Sequence, residues 1–380
     1  MSYIDNLRQL LNPASGHVSR VQIKRFVMRP LFDESFLRSQ RFAVLPGPDN
    51  RIPAAIASVW ATLASGDLPG AFQATVAAIG VTGSVVRQQD GADQAVSIKT
   101  LVGILISLAE TGMKLSAKAK ISRQPLLDAL RLEYAHFRRD AKVDSDKRVG
   151  MALCLVEIIK ICVSDRVPGI VDSLIASGAG ILDTEEDLPK SVSITLKFFM
   201  AKHLLFLDQF EAARTELLVA YRSLPRNVAQ SKNEESILWY LIPLQLSQGL
   251  FPSIRILKKY PRLAALYKPL LKAVRRMDIP SVRTQLAVAV NTSFFFLSKR
   301  IELLVFRSLV KQVYEVSDKK RRVELEVLAV VFNLSNKPSI VEEIVANLIL
   351  CGMITGYISY EEQAVMLTGS NPFPSGPFTL

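Results

Sequence analysis

Histidine and cysteine are scarce, with three of each in 380 residues. His17, His136 and His203 lie far apart, and no HExxH or other paired-histidine spacing is present, so a zinc hydrolase has no ligand set here. His203, inside an apolar helix, reads as a packed or capping histidine. Cys154, Cys162 and Cys351 show no metal-ligand spacing and cannot all pair. The first two stand in the apolar run MALCLVEIIKICV, as buried thiols of a reducing compartment do. No GxxxxGK[ST] or GxGxxG run offers a phosphate cradle, and the GAG of Gly178–Gly180 reads as a helix stop. No serine or cysteine stands in a nucleophile elbow. Nucleophilic, metal-dependent and nucleotide-dependent catalysis all lack their residues, so no enzyme, no cofactor and no metal is expected.

Long uninterrupted apolar runs are also missing. Lys99 and Glu110 interrupt Gln94–Met113, and Glu157 and Lys160 interrupt the short Met151–Val163. Both read as buried helices, and no membrane insertion is expected. The opening MSYIDNLRQLLN has an early acid and no apolar stretch, which argues against a secretory or transit peptide.

What is there is helical. With 49% hydrophobic and 22% charged residues, the composition is that of a soluble protein of two or three packed units. Apolar residues recur at helical spacing from the start to about residue 190. Breaks fall at Pro46–Asn50, Ser65–Gly70, Gln88–Asp93 and Ala141–Asp146. They separate predicted helices at Ala54–Ala64, Ala71–Ile79, Val96–Met113, Pro125–Phe137 and Lys147–Val163. Short connections between sequential amphipathic helices predict a stack of antiparallel pairs; no strict repeat is present, so the solenoid is degenerate. Lys197–Leu207 and Phe210–Tyr221 form a clearer pair, with Ala212 and Ala213 allowing close approach; a tetratricopeptide-like unit and a plain helical hairpin both fit. Ser236–Gly249 is apolar almost all round and predicts a central buried helix, kinked at Pro243.

The period changes near the end. Helices are predicted at Phe294–Tyr314, Val323–Phe332 and Ser339–Leu350, followed by a hairpin of Met353–Ile358 and Gln363–Thr368 around Ser359–Glu362. Three helices and a hairpin are the order of a winged helix, with Val345, Leu348, Ile349, Ile354 and Ile358 as its core. The Pro/Gly-rich tail SNPFPSGPFTL cannot continue a helix; Phe373 and Phe378 either dock or belong to a loose terminus.

Ile237–Tyr260, Ile301–Tyr314, Glu343–Ser359 and the NPFP of Asn371–Pro374 carry a resemblance to PCI-domain proteins. The Tyr-Leu-Ile-Pro helix and the NPFP tail resemble in particular the messenger-RNA-export branch and its COP9-associated relative. The resemblance covers residues 190–375. It implies an all-α fold with a small hairpin: a helical stack over 1–189, the helical part of a PCI domain over 190–290, its winged helix over 291–369, and a tail over 370–380. It also implies an adaptor in the nucleus, at nuclear pores and partly in the cytoplasm. Such an adaptor pairs with a larger scaffold of the GANP type, is clamped by a small acidic disordered protein, and offers RNA or DNA a surface. A purely architectural subunit of a COP9-like assembly is the other reading.

The net charge is +12, and its placement is uneven. Residues 251–325 hold 17 lysines and arginines against 5 acids, whereas residues 326–380 hold 1 against 5. A field this local attracts a polyanion, nucleic acid or a strongly acidic protein. Arg300, Leu304, Arg307 and Lys311 recur at helical spacing and predict a cationic stripe within about 60° of arc. Lys319, Lys320, Arg321 and Arg322 form a run expected at the start of the next helix. Lys258, Lys259, Arg262, Lys268, Lys272, Arg275 and Arg276 come from the preceding helices. These residues are the candidates for phosphate contact. A solvated basic face, a nuclear-localisation run at KKRR, or pairing with acids of a scaffold partner are the alternatives. The third helix of the winged helix carries Glu342 and Glu343 and no basic residue, and the wing carries Glu361 and Glu362, so groove reading through it is not expected. No aromatics interleave with the basic run, which leaves base stacking unsupported.

Overall fold

The computed structural model describes residues 51–88, 98–142, 144–178, 180–181, 188–225, 231–289, 295–335 and 337–374. His17, the break at 46–50, most of the break at 88–93, and the end of the tail with Phe378 lie outside them. The described residues form fifteen helices and a three-stranded sheet, in two compact units that divide between His203 and Leu204.

The first unit carries α1 (Arg51–Ala64), α2 (Leu68–Gln88), α3 (Ile98–Ala119), α4 (Gln124–Asp140), α5 (Ser145–Asp165), α6 (Gly169–Gly178) and most of α7 (Lys190–Phe206). Helix α1 packs on α2, α2 on α3 and α4, and α5 on α3, α4 and α6. Each apolar stripe is covered by its neighbours, as in a helical stack. One core runs through it, with Ile56, Trp60, Leu105 and Phe137 almost wholly shielded from solvent. By length and composition α2 and α3 could each cross a membrane, but 78% of the apolar window of α3 is buried in protein, the setting of a core helix.

Caps explain where the helices begin and end. The Asp144 carboxylate accepts from the N–H groups of Asp146 and Lys147, so α5 starts two residues before the predicted Lys147. The buried Arg148 donates to the carbonyls of Ala141 and Lys142 beyond the end of α4. Helix α6, absent from the predicted set, is a ten-residue segment with Val171 as its one fully buried large side chain, too short to show a periodic face. Between α2 and α4 the fully buried Glu133 needs the missing Cβ of Gly83, because a methyl there would overlap the carboxylate. Arg87 meets Glu133 at 2.8 Å. Burial still raises the Glu133 pKa above the usual glutamate value, with Arg87 opposing the shift.

The second unit starts with α8 (Phe210–Arg222), α9 (Lys232–Leu246), α10 (Ile254–Lys259), α11 (Pro261–Arg276) and α12 (Ile279–Ala289). Helix α8 buries Phe210, Ala213, Leu217 and Ala220 and packs on α9, whereas Ala212 is exposed. Pro243 lies in the last turn of α9. Proline has no N–H to give to the carbonyl four residues back, which is that of Trp239. Tyr267 of α11, itself 2% exposed, donates its hydroxyl to that carbonyl at 2.7 Å and sets its ring edge-on to Trp239. The break in α9 thereby becomes the point at which α11 is fastened to it.

The chain continues through α13 (Phe295–Val316), β1 (Arg322–Glu324), α14 (Leu325–Val331), α15 (Pro338–Leu350), β2 (Gly356–Ser359) and β3 (Ala364–Leu367). The sheet order is β1-β3-β2, antiparallel throughout, with Val323 opposite Val365 and Ile358 opposite Val365 on the other side. Helix, strand, two helices and a hairpin make a winged helix. The hairpin is as expected, though shorter, but β1 is a third strand where the sequence reading placed the start of a helix. Gly356 faces Leu367 across the hairpin, and a Cβ there would collide with the Met366 carbonyl. Val345, Leu348 and Ile354 are core, whereas Ile349 and Ile358 are half-buried. The tail returns to the body: Thr355 donates its N–H to the Pro372 carbonyl, and Phe373 packs against Tyr314.

These buried polar groups make two outcomes measurable. Tyr267→Phe leaves the Trp239 carbonyl unpaired and costs about 1–3 kcal/mol in urea unfolding. In a Pro243→Ala background, where residue 243 can donate its own N–H, the same substitution costs less, and equal costs in both backgrounds contradict the account. Glu133 has a raised folded pKa, so the stability it contributes is present below its unfolded pKa and is lost as pH rises through the folded value. Glu133→Gln is therefore expected to gain on the wild type between acid and neutral pH. A stability difference that stays flat across that range refutes it.

Candidate nucleic-acid interface

Helix α11 is the most sharply divided surface of the second unit. Pro261 opens it, where a missing N–H does no harm, and Met277 closes it in the left-handed conformation. One face buries Leu263, Ala264, Tyr267, Leu270, Leu271 and Val274. The other carries Arg262, Lys268, Lys272, Arg275 and Arg276, all exposed, and the helix has no acid. None of the five has a carboxylate in ion-pair range among the described residues. Lys268, Lys272 and Arg275 follow one ridge at intervals of four and three, which spaces the two lysines about 6 Å apart along the axis. Exposed Lys258 and Arg255 on α10 add to this side of the sequence. Lys259 does not: it pairs with Glu234 at 2.7 Å, which raises its ammonium pKa.

The predicted stripe on α13 is a different object. Arg300 is 4% exposed, with Nη2 3.7 Å from the Glu211 carboxylate that Gln248 also contacts. Its Nε and Nη2 make no hydrogen bond among the described residues. Arg307 is half-buried; it donates to the Met353 carbonyl and to the Pro374 carbonyl, both at 2.9 Å, and lies over the Phe373 ring. Burial lowers the pKa of both guanidinium groups. Only Lys311 of this set is exposed, and it faces Glu315 at 3.7 Å. The helical spacing is real, but both arginines of the stripe are drawn into their own unit. It cannot present three cations to a phosphate chain.

The KKRR run occupies a turn and the first strand. Asp318 and Lys319 take positive φ, Lys320 and Arg321 follow exposed, and Arg322 begins β1. Arg322 points toward Glu362 at 3.4 Å and Glu324 at 3.9 Å, so its charge is answered locally. Lys319, Lys320 and Arg321 have no carboxylate in range among the described residues.

Sequence reading missed one feature of α11. Phe251, half-exposed at 40%, lies under the Arg275 guanidinium, 4.9 Å from carbon to ring centroid. Leu250 and Ile254 beside it in sequence are also exposed. Phe251 and Arg275 are too far apart in sequence for spacing to suggest the pair. An aromatic does accompany the basic face, then, through tertiary contact.

No group of three His, Cys, Asp or Glu side chains among the described residues could hold a metal ion. His203 is fully buried with Nε2 2.7 Å from Asp172. The chemistry of the α11 face is that of a fixed positive field.

The chain is similar to several known proteins. It is 29% identical over 241 residues to "PCI domain-containing protein 2 homolog" of Drosophila melanogaster, covering 62% of this chain and 60% of that one. It is 25% identical over 242 residues to "PCI domain-containing protein 2" of Xenopus laevis, covering 62% and 59%. It is 28% identical over 199 residues to "Protein CSN12 homolog" of Yarrowia lipolytica, covering 49% and 48%. The matched stretches thus span three fifths or less of these relatives. The family model described as "PCI domain" matches residues 267–368, which run from the Tyr267 contact on α11 to the end of the hairpin. On that match and on the winged helix it encloses, this chain contains a PCI domain.

Proposed function

We propose that the protein is a non-catalytic adaptor subunit of a nuclear messenger-RNA-export assembly, at nuclear pores and partly in the cytoplasm. In this reading its winged helix pairs with a larger PCI scaffold of the GANP type. A small acidic protein clamps the helical part, and the basic face of α11 holds RNA or DNA, mostly without sequence preference. The observation that carries the nucleic-acid part is the set of five exposed cations on one acid-free helix, none with a carboxylate in ion-pair range among the described residues. The turn at Lys319–Arg321 adds three more exposed charges. The recognition helix α15, with Glu342 and Glu343 and no basic residue, supports backbone contact elsewhere over groove reading.

The winged helix supports the pairing. On α14, Val327, Val330 and Val331 are 42%, 68% and 36% exposed and recur at the spacing of one helix face, an apolar stripe suited to a protein contact. The same stripe favours the second reading, a purely architectural subunit of a COP9-like assembly.

Fluorescence anisotropy with mixed-sequence RNA, on the protein alone and in its assembled complex, separates the two. Charge reversal at Arg262, Lys268, Lys272 and Arg276 is expected to weaken binding by at least about tenfold near physiological salt. The slope of log affinity against log salt is expected to flatten by about 0.7 for each phosphate that the variant no longer neutralises. The corresponding change at Arg300 or Arg307 is expected to unfold the second unit before it reveals any RNA phenotype. Unchanged RNA affinity in the four-residue variant removes the nucleic-acid part and leaves the architectural subunit.

A further inference from the structure

We infer that the basic face of α11 takes single-stranded nucleic acid, with Phe251 and the Arg275 guanidinium above it forming a platform on which one unpaired base stacks. This rests on the proposed RNA-binding reading and specifies its ligand. Cations alone do not distinguish a duplex from a single strand, because both present a phosphate chain. Phe251 does distinguish them. A base can stack on a protein ring only when it is free of its own helix, and such stacking tolerates any base because every base has a π-face.

Three observations place the platform. The ring is 40% exposed, and one cation of the α11 ridge lies 4.9 Å from its centroid. That cation, Arg275, is three residues from Lys272 and seven from Lys268, so the stacking plane and two exposed lysines share one ridge. Leu250 and Ile254, neighbours of Phe251 in sequence, are exposed too, at 47% and 62%, so the segment leading to the basic helix leaves apolar side chains open to solvent. An acidic protein segment is the competing occupant. It would use the same charges and the aliphatic side chains, but it has no need of a flat ring carrying a guanidinium.

The test uses the full chain with fluorescence anisotropy of three probes: a ~12-nucleotide mixed-sequence RNA, the same RNA annealed to its complement, and a polyglutamate peptide of matched charge. Phe251→Ala is expected to weaken single-strand binding at least about fivefold and leave duplex binding unchanged. Phe251→Leu, which keeps apolar bulk without the plane, is expected to lose as much, and Phe251→Trp to retain or strengthen binding. Recovery in the leucine variant overturns the platform, as does an equal loss on single strand and duplex. Polyglutamate binding that is tighter than RNA binding and depends on Phe251 assigns the face to an acidic protein. If wild type binds neither form of RNA, the RNA-binding reading itself fails; if both bind alike and Phe251→Ala changes nothing, only the stacking platform does.

Discussion

A backbone carbonyl that its own helix cannot satisfy must find a donor elsewhere, or its burial costs as much as a missing hydrogen bond. This fold answers that demand with side chains from other elements. Tyr267 serves Trp239, whose partner Pro243 has no N–H. Arg148 serves Ala141 and Lys142 past the end of α4. Arg307 serves Met353 and Pro374, and so holds both the approach to the hairpin and the returning tail. Each of these donors comes from another element, and two of the three are arginines.

That use of arginine decides which charges remain for a partner. An extended guanidinium with several N–H groups in a fixed fork suits two carbonyls at once, which lysine cannot match with the same geometry. Arg307 is withdrawn into its unit in this way, whereas Arg300 is buried beside Glu211, Arg322 is turned toward Glu362, and Lys259 toward Glu234. Within residues 251–325, the cations that stay exposed with no carboxylate in ion-pair range among the described residues are mainly those on α11 and at the turn before β1. Net charge counted along the chain overstates the field that an incoming polyanion would meet.

The same distinction marks how far the sequence could be read. Helical periodicity located most elements within a few residues, because an amphipathic stripe is a local property, and the order of the last elements was enough to anticipate a winged helix. Strand β1 escaped because three residues, Arg322, Val323 and Glu324, give no alternation long enough to recognise, and their pairing with β3 lies forty residues away. The stripe of Arg300, Leu304, Arg307 and Lys311 was correctly placed on one face of α13, but spacing cannot say whether a face meets solvent or protein. For α11 it could: Leu263, Tyr267, Leu270 and Val274 supply an unmistakable buried side, and the cations fall opposite it. On α13 both sides are apolar, and nothing in the spacing shows which arginine becomes internal. The Phe251–Arg275 contact was beyond reach for the same reason, since it depends on how the segment before α10 folds against α11.

Within the second unit, opposite chemistries occupy different parts of the fold. The winged helix has an acid-bearing third helix, an acidic wing and an apolar stripe on α14; the helix that opens the matched PCI region has none of these and carries the cations instead. Acids on α15 would repel phosphates from the groove-reading position that a winged helix ordinarily offers, which on the proposed function leaves α11 as the face for a polyanion. The stripe on α14 has no such restriction and is open to a protein surface. On the proposed function, the scaffold and the nucleic acid would use different elements, α14 and α11. The fold name alone would have assigned both to the same helix.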